Sequence, residues 1–206
     1  MPMDFQQLDS RQQDTLRELS NIGMGHAATS LSQLVGRTIM LHVPRVMTVD
    51  LSEVPDLLGG PERLVAGVIL KLEGAAGGNM LLVLPRASAE QLLQILLGST
   101  VGLDDELGVS TLKEIGNILA SSYLNALGGM LGMTLYPSVP QLAYDMAGAV
   151  IDHVLGELGE SGDLALVLET EFSGDEVDAD PIRGHFFLLP DPRTLELVLA
   201  AVGGSR

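Results

Sequence analysis

Polar positions Asp14, Glu18 and Asn21 recur at steps of four and three residues, with Leu16, Leu19 and Gly23 roughly opposite. At about 100° per residue the three polar side chains fall within about 60° of one another. That spacing predicts a helix with one buried and one solvated face. Ser10 and Gln13 make an S-x-x-Q capping box at its start, and Gly36 suits its end. Gly23, Gly25, Ala27 and Ala28 are small enough to let another element approach closely. The period then shortens to two. Residues 38–44 read as a strand stopped by Pro44, residues 45–50 as its continuation or partner, and 56–63 as a turn. Residues 64–74 and 79–85 read as two strands of a hairpin joined by Gly74–Gly78. Residues 87–98 form an amphipathic helix, and the acidic stretch 99–109 is the best connection between the two halves of the chain.

The pattern then repeats. Ser110, Glu114, Asn117 and Pro140 each lie 96 residues after Asp14, Glu18, Asn21 and Pro44. Laid over one another without a gap, 14–44 and 110–140 are identical at ten of 31 positions: Thr15, Leu16, Glu18, Asn21, Ile22, Leu31, Gly36, Thr38, Val43 and Pro44. The second half adds a helix over 144–160, a strand pair over 163–173 and 183–189 separated by the acidic loop 174–180, and a closing helix. We expect one domain over 1–206, built from two repeats (about 10–98 and 106–204) with approximate two-fold symmetry.

Composition narrows the function. With 206 residues and 46% hydrophobic positions the chain can bury a sizeable core, and with 3% aromatics that core is aliphatic. A net charge of −16 repels a nucleic-acid backbone. No Cys is present, which removes thiolate chemistry and disulfides and suits a reducing compartment. No signal peptide or membrane span is evident, so a soluble cytoplasmic protein is expected; a monomer is the favoured state. Serine-hydrolase and phosphate-loop motifs are absent, and His26, His42, His153 and His185 have no ligand spacing. "GMGHAA" (23–28) loosely matches a dinucleotide fingerprint but sits inside a predicted helix.

A Glu and an Asn three residues apart on a helix are usually a solvated face. Here the pair and its distant Pro recur, whereas duplication alone preserves core positions such as Leu16, Ile22 and Leu31 first. A helix cap can account for Ser110, and less readily for mid-helix Glu18 or Asn21. Asn cannot titrate, yet it can aim a water; Glu can pair with a cation. Both suit a protein that completes a neighbour's active site.

The two stretches, with the motif [DS]-x3-E-x2-N-x22-P met in both copies, resemble the CheC family of chemotaxis phosphatases, which act on the phosphorylated response regulator CheY. Met24 and the acidity of residues 173–181 are mild departures. The resemblance implies an α/β fold of the α+β type: an internally duplicated, pseudo-two-fold sheet with the two motif helices side by side on one face. It implies Glu18, Asn21, Glu114 and Asn117 as catalytic residues. Each Asn would orient the in-line water and each Glu would pair with the partner's lysine. Asp14 and Ser110 would support the helix start or docking rim, and Pro44 and Pro140 the strand end. It implies no cofactor of the chain's own, with Mg²⁺ supplied by the regulator. It also implies a second partner, the deamidase CheD, at Asp145, which can alternatively be a turn or cap residue. The alternatives are an adaptor that mainly binds CheD, or a flagellar-switch component; for the latter, a chain ending at Arg206 leaves no room for an assembly domain.

Overall fold

The computed structural model describes residues 9–158, 164–173 and 181–203. Its elements are α1 (Ser10–Val35), β1 (Met40–Asp50), a single 3₁₀ turn (Leu51–Glu53), α2 (Val54–Leu57), β2 (Leu64–Gly74), β3 (Gly78–Pro85) and α3 (Arg86–Leu97). Next come α4 (Glu106–Leu131), β4 (Leu135–Pro137), β5 (Gln141–Met146), α5 (Ala147–Leu158), β6 (Leu164–Ser173), β7 (Ile182–Pro190) and α6 (Pro192–Gly203).

One antiparallel sheet runs β1-β6-β7-β3-β2-β4, and β5 extends the β4 edge along β2. By position within the repeat, the order reads the same from either edge. Each half's first strand lies beside the other half's hairpin: β1 beside β6, and β4 with β5 beside β2. The strand alternation feeds two cores. Met80, Leu82 and Leu84 point to one face, where α1, α3, α4 and α6 pack; Leu81 and Val83 point to the other, beneath α2 and α5.

The motif helices α1 and α4 pack against each other, α1 over β1 and α4 over β4 and β2. Their contact needs Gly23, where an added Cβ would lie 3.1 Å from the Tyr123 Cα. Both helices end on a left-handed glycine, Gly36 (φ 67°) and Gly132 (φ 65°), a conformation that costs other residues more.

Several expectations need correction. The capping box of α1 is one residue earlier: Asp9 accepts from the Gln12 N–H at 2.8 Å, and Gln12 accepts from the Asp9 N–H at 3.0 Å. Helix α4 starts at Glu106, so Ser110 stands a turn inside it and caps nothing. Pro44 does not stop β1. Between His42 (opposite Glu171) and Arg45 (opposite Glu169) the strand carries one extra residue, a bulge in which a proline costs no ladder bond. The segment read as a turn is preceded by helical turns over 51–57. The helix expected from 144 begins at Ala147, because Tyr144–Met146 extend β5. Ile22, grouped with core positions, is 53% exposed. The acidic loop 174–180 lies outside the described residues. Among those residues no helix is long and apolar enough to cross a membrane.

Candidate functional site

In the first copy Glu18 points into solvent from α1. Asp14 also faces solvent and is neutralised by Arg17, 2.9 Å away. Asn21 is half-buried and fully engaged. Its Oδ1 accepts from the Val43 N–H at 3.0 Å, and its Nδ2 donates to the carbonyls of Arg17 at 3.0 Å and Val43 at 3.4 Å. The physical reason lies in the bulge. It takes Val43 out of register with β6, and a backbone group inside the fold must find a partner elsewhere. The carboxamide supplies a donor and an acceptor at once. Val43 is fully buried beneath it, and Pro44 comes next with no N–H of its own to satisfy.

The second copy starts from the same residue types and ends differently. Here the strand breaks. Pro137 pairs opposite Leu72 and Gln141 opposite Ile69, so again one residue is extra. Residues 138–140 leave the ladder between β4 and β5. Ser138 stays attached to Lys71, donating its N–H to the Lys71 carbonyl at 2.9 Å and accepting from the Lys71 N–H through Oγ at 2.8 Å. Val139, the counterpart of Val43, is 85% exposed. A cleft of about 460 Å³ opens between α4 and this loop, lined by Ser110, Lys113, Glu114, Asn117 and residues 137–140. All four motif positions of the second copy therefore line one cleft. Glu114 is exposed in it. The Asn117 carboxamide is half-buried and makes no hydrogen bond among the described residues. Arrayed this way, a carboxylate and an uncommitted carboxamide can hold a cation and orient a water.

The sequence comparisons fall on these same stretches. A family model described as the CheC-like family matches residues 12–48 and 107–144, which contain the two copies. Over 207 aligned residues, 98% of each chain, the sequence is 38% identical to the CheY-P phosphatase CheC of Bacillus subtilis. The chain belongs to the CheC-like family. The CheC-like fold is shared with solved structures at low identity: FliY of Thermotoga maritima (TM-score 0.74, 20% identical, covering 97% of this chain and 99% of that one), and the FliM middle domain of Helicobacter pylori (TM-score 0.65, 11% identical, 94% and 99%).

Within this CheC-like chain, Asp145 does not join the cleft. It sits exposed on the edge strand β5 opposite Val65, with its Oδ1 accepting from the Met146 N–H at 2.7 Å. Lys113, Pro137, Ser138 and Val139 line the cleft although the sequence motif does not single them out. Val139 carried a signal, since it matches Val43 in the repeat. Among the described residues no group of three or more His, Asp or Glu is placed to hold a metal ion.

Proposed function

We propose that this protein is a phosphatase for the aspartyl phosphate of a CheY-type response regulator, and that the second copy of the motif is the one poised to act. The observation that carries the reading is the convergence of Ser110, Glu114, Asn117 and Pro140 on one open cleft, with the Asn117 carboxamide unbonded among the described residues. The relatedness to a CheY-P phosphatase supports the choice of substrate.

In this reading Glu114 pairs with a lysine of the regulator and fixes the docking. Asn117 enters the phosphorylated cleft and holds a water in line with the acyl-phosphate bond. The water oxygen attacks phosphorus, the bond to the aspartyl oxygen breaks, and the products are inorganic phosphate and a free carboxylate. The regulator supplies its own Mg²⁺. Positioning of this kind can contribute up to about 7–11 kcal/mol without a covalent step. Glu18 and Asn21 form the corresponding pair of the first copy, where Asn21 must first leave Val43. Asp14 and Ser110 flank the docking rims, and Pro44 and Pro140 shape the bulges beside them.

One observation favours a second role. Asp145 is exposed on an edge strand outside the cleft, which suits binding of a CheD-type deamidase. A phosphate-release assay separates the two readings. The double variant Asn21→Ala/Asn117→Ala is expected to lose nearly all acceleration of regulator dephosphorylation while remaining folded. Undiminished turnover would leave the adaptor role alone standing.

A further inference from the structure

The two copies differ in one charge as well as in their openness. In the first, the cation three residues into the motif is Arg17, and Asp14 neutralises it at 2.9 Å. In the second, Ser110 replaces that aspartate, and the matching cation, Lys113, has neither an ion pair nor a hydrogen bond among the described residues. Lys113 is half-buried and lines the cleft beside Glu114 and Asn117. It is the one positive side chain of that lining.

We infer that Lys113 is a substrate-recognition residue of the second cleft, pairing with a carboxylate at the rim of the docked regulator's phosphorylated pocket. The inference rests on the docking proposed above. The chain carries a net charge of −16, and a phosphorylated acidic pocket is anionic too, so the two surfaces repel unless a cation is placed locally. Glu114 adds to that repulsion until it reaches its lysine. A free ammonium in the same cleft offsets it and favours the orientation in which Glu114 and Asn117 face the pocket. Arg17 offers less in this way, because Asp14 offsets its charge at 2.9 Å. Lys113 acts on encounter and grip, so its effect belongs in KM.

The test is steady-state phosphate release over a range of regulator concentrations. Lys113→Ala is expected to raise KM about two- to fivefold with kcat unchanged, the size of a partly exposed ion pair. Lys113→Glu should raise it further, and Lys113→Arg should restore the wild-type value. Arg17→Ala should change KM less than Lys113→Ala does. The Lys113→Ala penalty should shrink as ionic strength rises from about 0.05 to 0.5 M, where screening shortens to a few ångströms. Equal KM for wild type and Lys113→Ala, or a fall confined to kcat, would overturn the inference. Calorimetric titration with a beryllofluoride-activated regulator reads docking without turnover. If the wild type binds more tightly than Lys113→Ala yet releases no phosphate, the phosphatase reading fails and this one stands. If both proteins bind equally, this one fails.

Discussion

A carboxamide does not titrate, so what Asn21 and Asn117 can do depends on what already holds them. Asn21 is committed to the Val43 peptide and Asn117 to nothing among the described residues. Replacing Asn21 with Ala strands a part-buried N–H and C=O, which costs about 1–3 kcal/mol. Asn117→Ala strands neither and should stay within about 0.5 kcal/mol of wild type. Urea unfolding distinguishes them, and equal losses would remove the clamp from the account. His185 gives a prediction of a different kind. Burial holds its imidazole below the ordinary 6.5, opposed by Glu169 and aided by Arg63, and its Nδ1 has no partner among the described residues. A depressed histidine takes up protons more readily when unfolded. Its share of stability is therefore complete above 6.5 and declines as the pH falls through 6.5 toward the folded value. Between about pH 7 and pH 5 the Tm of the wild type should fall more steeply than that of His185→Phe; parallel profiles would show that His185 is not responsible. At this scale the sequence was informative about identity and silent about state. Val43 and Val139 are the same residue in the same repeat position, yet one is fully buried and the other 85% exposed.

At the scale of elements, the ends of the helices were legible because glycine marks them chemically, as at Gly36 and Gly98. The β2–β3 hairpin was legible from its apolar runs and the glycines between them. The bulges were not, since one extra residue leaves the alternation on either side looking like a stop at Pro44. Nor were the short turns over 51–57, which have too few residues to show a period. The placement of α4 depends on Gly116, next to Asn117. A Cβ there would lie 2.5 Å from Cγ1 of Val68 and 3.0 Å from its Cβ, and a strand valine has little rotamer freedom with which to yield. Gly116→Ala should therefore lift α4 from β2, destabilising the protein by about 1–3 kcal/mol and weakening phosphate release along with it. Thermal unfolding and the release assay check the pair, and wild-type values in both would contradict the close packing.

At the scale of the molecule, the palindromic sheet makes each half depend on the other, because β1 completes the second half's hairpin while β4 and β5 complete the first's. The duplication was visible in the sequence from the 96-residue offset, whereas this exchange of strands leaves no trace in local periodicity. It gives each of the two packed motif helices its own edge of the sheet, α1 over β1 and α4 over β4, and there the edges differ: β1 is continuous over its clamp, while β4 and β5 part around an open cleft. The central claim is that the uncommitted carboxamide in that cleft drives the chemistry. The most direct measurement is the rate of phosphate release from a phosphorylated CheY-type regulator with wild type, Asn117→Ala and Asn21→Ala, each assayed well below its melting temperature. The account predicts a loss of about tenfold or more for Asn117→Ala, given that a misplaced reacting group can cost up to about a hundredfold, and a much smaller loss for Asn21→Ala. A wild-type rate from Asn117→Ala would contradict it.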